Sequence, residues 1–130
     1  MDDNASRAGS RPVLQPGPDH PISVTPTGSR VLVKAGDVVV ADSANALTLQ
    51  ESNYPACLYV PLADVSPGLL SPSSTTSYCP YKGDCSYYSL ATPGGEIADA
   101  VWTYANPYPS VAAIAGHVAF YPNKVTITVS

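Results

Sequence analysis

The segment Thr75 to Tyr87, TTSYCPYKGDCSY, gathers two thiols, a lysine, an aspartate and three tyrosines within thirteen residues. Its middle, Cys79-Pro80-Tyr81-Lys82-Gly83, reads as a turn set by Pro80 and Gly83, which places a thiol and an amine three residues apart. A lysine held against apolar walls loses basicity and can act as a base or Schiff-base nucleophile. One that keeps its charge can clamp a carboxylate or polarise a carbonyl. The competing expectation is an ordinary solvated turn lysine. For Cys79 the usual fate of a free cysteine is burial as a small hydrophobe, and Cys57 and Cys85 have weaker claims still. The string begins like a Cys-Pro-Tyr-Cys redox site, but Lys82 stands where the second thiol would be, and a strand-then-helix context is lacking.

Charge is scarce. Asp, Glu, Lys and Arg make up 12% of the chain, about half the usual share of ~25%. Between Ser43 and Ala98 only Glu51, Asp64, Lys82, Asp84 and Glu96 are charged. In Ala46-Leu47-Thr48-Leu49-Gln50-Glu51 a two-residue period puts Glu51 on the face of Leu47 and Leu49, so an inward carboxylate is expected if the strand runs that far. Burial would raise its pKa and suit it to proton transfer, unless a cation such as Lys82 holds it ionised. If the strand stops at Gln50, Glu51 turns into solvent instead. Nine tyrosines and one tryptophan are available as walls. Tyr59, Tyr87, Trp102 and Tyr104 are the candidates for a pocket that takes an aromatic or carbonyl-bearing molecule, although aromatic residues in strands commonly just fill a core. His117 could carry a proton at neutral pH or be a hydrogen-bonded structural residue.

These side chains need a frame, and the pattern around them is β. Fourteen prolines and nine glycines cut the chain into short β-branched or aromatic pieces. Arg30 to Ala35, then Gly36-Asp37 and VVVA, reads as a hairpin. Further strands are expected at Ala46–Glu51, Cys57–Leu62, Ser86–Ala91, Ile97–Tyr104 and Lys124–Val129, with turns at Pro93-Gly94-Gly95 and Pro122-Asn123. One short helix is expected at Ser110–Ala115, capped by Ser110 and stopped by Gly116. No helix–strand alternation suggests a parallel sheet, so the fold class is all-β with one short helix. A length of 130 residues suits a single domain. Residues 1–11 have almost nothing apolar to bury and are expected to be a disordered tail, leaving 12–130 as the domain.

Several functions are disfavoured. Net charge is −4 and the six Lys and Arg residues are scattered, which argues against nucleic-acid binding. No apolar run approaches the ~18 residues of a membrane span, and the Met1-Asp2-Asp3-Asn4 start lacks the pattern of a secretion signal, so a cytoplasmic location is expected. Cys57, Cys79 and Cys85 are an odd count, and reduced thiols are expected. They form no paired Cys-x-x-Cys knuckles, and His20 and His117 lie far away in sequence, so no metal site is expected. No Ser-centred nucleophile elbow, Walker loop or dinucleotide glycine fingerprint occurs.

Several strings together resemble the small bacterial and fungal family catalogued as domain of unknown function 427. They are PGPDHPI (Pro16–Ile22), VVADS (Val39–Ser43), the Leu47–Glu51 strand, YVPLADV (Tyr59–Val65), TTSYCPYKGDCSYYSL (Thr75–Leu90), AVWTYANPYPSV (Ala100–Val111) and IAGHVAFYP (Ile114–Pro122). The resemblance covers about Pro12 to Val129. It implies a compact two-sheet architecture of the Mss4-like, or β-tent, kind around a cleft, here without zinc. Cys85 stands where that family usually has alanine, which lowers the case for a role of its thiol. The family has carried a nucleotidyltransferase label, but no paired-Asp metal site or glycine-rich phosphate loop supports that activity here.

The residues point to a metal-independent enzyme, needing no cofactor, that acts on a small carbonyl-bearing or aromatic molecule by acid–base chemistry. Glu51 would move the proton, Lys82 would stabilise negative charge and Tyr87 would orient the substrate. Tyr59, Cys79, Trp102, Tyr104 and His117 would contact it. The alternative is a non-catalytic ligand-binding or partner-stabilising module. Either reading allows a homodimer.

Overall fold

The β-branched and aromatic runs between the prolines and glycines pair as antiparallel strands. The structure, a computed structural model, describes residues 11–130. The tail expected at 1–11 lies outside the described residues apart from Arg11. Among the described residues the strands are β1 (Ile22–Pro26), β2 (Val31–Ala35), β3 (Val38–Ser43), β4 (Leu47–Glu51), β5 (Cys57–Pro61), β6 (Leu70–Cys79), β7 (Gly83–Thr92), β8 (Gly95–Thr103), β9 (His117–Phe120) and β10 (Thr126–Val129). Seven of them form one sheet in the order β1-β4-β5-β9-β8-β7-β6, and three form a second in the order β10-β2-β3. The all-β class and the expected hairpin are both present, the latter turning at Gly36 with φ +59.

The expected helix is different in kind. Pro109–Ile114 forms 3-10 turns that break at Val111 (φ −127, ψ 27), and Ser110 lies inside the segment instead of capping it. Pro109 presets the first turn. The two buried side chains, Val111 and Ile114, then tie the segment to the core before an α-helix can develop. β1, β6 and β9 are strands that the sequence pattern did not announce. β1 and β6 are the two edges of the larger sheet, where Pro26 and Pro72 are tolerated because one side of the strand has no ladder to complete. β6 also shifts register between Pro72 and Thr76.

Alternation along the central strands gives the large sheet two buried faces. Val60, Val101, Val118 and Phe120 pack towards Val31, Val33, Val40 and Ala41 of the small sheet. Val31, Val33 and Val40 are 0% exposed, and each stabilises the fold by roughly 1.5–3 kcal/mol through burial. Their strand neighbours Tyr59, Trp102 and Ala119 point the other way, into a second cluster with Leu49, Cys85, Tyr104, Val111 and Ile114. On that side the sheet curls. β4 and β7 are each one strand from opposite edges, yet the turn after β6 reaches the end of β4 through side chains, and the backbone N–H of Leu14 donates to the Pro80 carbonyl at 3.0 Å. No helix among the described residues is long and apolar enough to cross a membrane.

The turn that closes the curl needs Gly83. Its φ of +111 is disfavoured for any residue with a Cβ, and an added Cβ would come within 3.5 Å of the Asn106 carbonyl oxygen. That separation is ordinary contact, so the cost of Gly83→Ala is conformational. We expect a loss of about 1–3 kcal/mol in urea unfolding. A variant as stable as the wild type would show that this turn is not under the constraint described.

Candidate functional site

Glu51 ends β4 on the same side as Leu47 and Leu49, whose side chains join the second cluster. Ser52 then takes a positive φ of +50, and its N–H donates to the Pro21 carbonyl at 2.7 Å, so the chain leaves the sheet just after the carboxylate. Opposite lies Lys82, in the turn between β6 and β7. Its N–H donates to the Cys79 carbonyl, and its carbonyl accepts from the N–H of Tyr108 at 2.9 Å, which fixes the direction of the side chain. Lys82 Nζ donates to Glu51 Oε1 at 2.6 Å, with the side chains 10% and 15% exposed.

The other carboxylate oxygen has a second partner. His20 Nε2 donates to Glu51 Oε2 at 2.8 Å. A tight turn in which Gly17 and His20 exchange backbone hydrogen bonds presents this histidine. Its ring stacks on Tyr81 with centroids 4.2 Å apart and planes 8° from parallel, and meets Tyr54 edge-on at 6.1 Å. Burial pushes the Glu51 carboxyl up, but the hydrogen bonds and charges of Lys82 and His20 together outweigh it, so its pKa lies below the ordinary value. Of the two outcomes open to an inward Glu51, the structure has the ionised one.

Above this pair is a cleft of about 200 Å³. β4, the loop after it and the start of β5 line it with Leu49, Tyr54, Pro55 and Cys57, and Tyr59, Cys85, Tyr87, Trp102, Tyr104 and Tyr121 complete the lining, with Glu51 and Lys82 bordering the space. Trp102 Nε1 donates to the Tyr59 hydroxyl at 3.1 Å, with the two rings nearly perpendicular at 88°. Burial raises the pKa of Tyr59 and of Tyr104, so both stay neutral phenols able to donate. Burial, then the hydrogen bond with Tyr87, pushes Tyr121 up to about 12. Burial likewise pushes the Cys57 thiol up, which keeps it protonated and a poor nucleophile.

The candidates Glu51, Lys82, Tyr59, Tyr87, Trp102 and Tyr104 thus line one cavity. Cys79 sits beside it, its Sγ 3.7 Å from Lys82 Nζ. His117 is elsewhere: at the start of β9 its Nδ1 donates to the Ala115 carbonyl at 2.9 Å, and its own carbonyl accepts from Thr103 Oγ1, which makes it a support for the chain turn at Gly116. Nothing in the sequence singles out His20 or Tyr121 for the site or gives Cys57 a part in the pocket. A turn signal, Gly17-Pro18-Asp19, precedes His20, but nothing local names a carboxylate 31 residues away as its partner. Among the described residues no group of three or more His, Cys, Asp or Glu side chains converges in a way that could hold a metal ion.

The pair has a calculable pH signature. A carboxylate with a depressed folded-state pKa contributes stability above its unfolded value, and that contribution disappears as pH falls through the folded value. In Lys82→Met, Glu51 keeps only His20, so at neutral pH we expect a loss of roughly 3 kcal/mol from an uncompensated, largely buried charge. The gap to the wild type should narrow as pH drops below the ordinary carboxylate range and Glu51 protonates in both proteins. Urea unfolding at a series of pH values reads this directly, and a gap independent of pH would contradict the assignment of Glu51 as the ion that Lys82 holds.

Among curated proteins none matches the chain significantly. A family model described as Domain of unknown function (DUF427) matches residues 23–130, a stretch that holds the whole cleft and stops three residues short of His20. It takes in the Glu51 strand, the Cys-Pro-Tyr-Lys-Gly turn that carries Lys82, and the Trp102-Thr103-Tyr104 wall. With that match over most of its length, the chain belongs to the DUF427 family.

Proposed function

We propose that the cleft is the active site of an enzyme that performs acid–base chemistry on a small carbonyl-bearing or aromatic molecule. One observation carries the reading: in a chain with 12% charged residues, two of the few mid-chain charges meet at the wall of a tyrosine- and tryptophan-lined cleft instead of closing into a solid core. A space of about 200 Å³ lies below the ~300 Å³ at which drug-sized sites begin, so the part of the ligand it takes is small. Lys82 and Glu51 cancel in charge, which favours a neutral ligand.

In this reading Lys82 polarises a substrate carbonyl and stabilises the negative charge that develops on its oxygen. Glu51 is already ionised and accepts the proton. At rest its basicity is low, because Lys82 and His20 both stabilise the carboxylate. As Lys82 turns its hydrogen bond to the substrate oxygen, one of these partners is withdrawn and Glu51 becomes a stronger base, while His20 keeps the carboxylate aimed. Tyr87 and Tyr104 orient the substrate through their hydroxyls, and Tyr59 and Trp102 supply contact area. The two sheets and the cleft are in keeping with the β-tent architecture that the family resemblance implies.

A non-catalytic binding or partner-stabilising module is the second reading. The observation in its favour is that the Glu51–Lys82 pair joins opposite flanks of the curled sheet and so has structural work without any reaction.

Deuterium uptake separates the two. The protein is incubated in D2O with small ketones and arylacetaldehydes, and exchange of the hydrogen next to the carbonyl is followed by NMR. We expect exchange with at least one compound, lowered by about 100-fold or more in Glu51→Gln and in Lys82→Ala. Full exchange in both variants, shown to be folded by circular dichroism, would falsify the assignment. Binding seen by Trp102 fluorescence with no exchange for any compound would favour the module.

A further inference from the structure

The cleft has a neighbour that its chemistry does not use. A second, more open hollow of about 370 Å³ shares two of its walls, Tyr87 and Tyr121, with the first. Its remaining lining is Thr75, Asp99, Asn123 and Lys124. The partition between the two hollows carries a polar group: the Tyr87 hydroxyl lies 2.9 Å from Ser77 Oγ. Tyr121 also leans on Trp102, with ring centroids 4.5 Å apart, so the aromatic surface continues from one hollow towards the other.

Asp99 is brought there by an irregularity that a plain strand would not have. Opposite β8, β7 changes register between Tyr88 and Leu90, and Asp99 takes a positive φ of +48 with its N–H donated to Ser89 Oγ at 3.0 Å. A left-handed aspartate in mid-strand is a backbone cost, and bulges of this kind re-aim a side chain next to functional sites. Hydrogen bonds from Ser73 and Thr75 keep the Asp99 carboxyl below its ordinary pKa, with Thr75 Oγ1 2.7 Å from Oδ2. Lys124 Nζ donates to the Ala98 carbonyl at 2.7 Å and stands 5.8 Å from the centre of the Tyr121 ring.

We infer that this hollow is a second subsite, which takes a neutral, polyhydroxylated group such as a sugar ring attached to the small head bound in the first cleft. The inference rests on the reading of the first cleft as a small-molecule site. An ionised carboxylate accepts from vicinal hydroxyls, the Asn123 amide both donates and accepts, the Thr75 hydroxyl, whose proton goes to Asp99, still accepts, and the face of Tyr121 offers contact to C–H groups. Charge decides against the other polar tails. Asp99 and Lys124 cancel, as do Glu51 and Lys82, so neither a phosphate nor an ammonium group gains a net attraction across the two hollows.

The chain has a single tryptophan, Trp102, and it lines the first cleft, so its fluorescence reports occupancy there. The probes are phenol as head alone, phenyl β-glucoside as head with tail, and phenyl phosphate as head with an anionic tail. We expect the glucoside to bind on the order of tenfold more tightly than phenol, the gain of one or two hydrogen bonds, and more tightly than phenyl phosphate. Asp99→Asn, which suits the left-handed backbone, and Asn123→Ala should each remove several-fold of the glucoside affinity and leave phenol unchanged. A glucoside no tighter than phenol, a tighter phenyl phosphate, or variants that weaken phenol and glucoside equally would each overturn the subsite while leaving the first cleft as a ligand site. If neither phenol nor glucoside perturbs Trp102, the small-molecule reading of the first cleft fails, and the subsite with it.

Discussion

An ionised carboxylate with only 15% of its side chain exposed must be matched where it stands, because removing a charge from water without a partner costs several kcal/mol. Glu51 is carried inward by its own strand and matched by groups that arrive from two directions: the β6–β7 turn supplies Lys82, and the segment before β1 supplies His20. Much of the local geometry can be traced to this requirement. The turn at Gly83, the bond from the Tyr108 N–H to the Lys82 carbonyl, and the stacking of His20 on Tyr81 all hold a donor in place against one carboxylate. The curl of the seven-stranded sheet is the large-scale counterpart, since β4 and β7 would otherwise stand far apart.

The same residues explain what could be read from the sequence. Two-residue alternation is a strong local signal, and it places Glu51 beside Leu49 on the inward face. Scarcity of charge singled out Lys82. The pairing of the two is a long-range fact, 31 residues apart, and followed only from the expectation that a buried acid needs a base. His20 was beyond reach because its role depends on where an irregular segment crosses the sheet, and irregular segments carry no period. β6 was obscured by Pro72 and a run of serines and threonines, an edge-strand composition that resembles a loop. The helix expected at Ser110 rested on a capping pattern that Pro109 and the buried Val111 override.

The bulge at Asp99 belongs to the same class of feature. Asp99, a residue uncommon in strands and tolerant of a left-handed backbone, is the one local hint in Ile97-Ala98-Asp99-Ala100 that the strand buckles there, and its carboxylate borders the same hollow as Tyr121. Local composition describes what a strand prefers; partners in the adjacent strand, here Ser89, decide where it departs from regularity.

The central strands present Val60, Val101 and Val118 to the small sheet and Tyr59, Trp102 and Ala119 to the cleft side. Core-facing and cleft-facing positions therefore alternate residue by residue along the same backbone. For descent with modification this is a permissive layout: the cleft lining can be exchanged at every second position while the valine-rich face is inherited intact. Insertions are a different matter, because a single added residue in β5 or β8 would swap the two faces and lose both at once. Relatives with a different cleft lining would then be expected to differ by substitution within these strands and by length only in the loops between them.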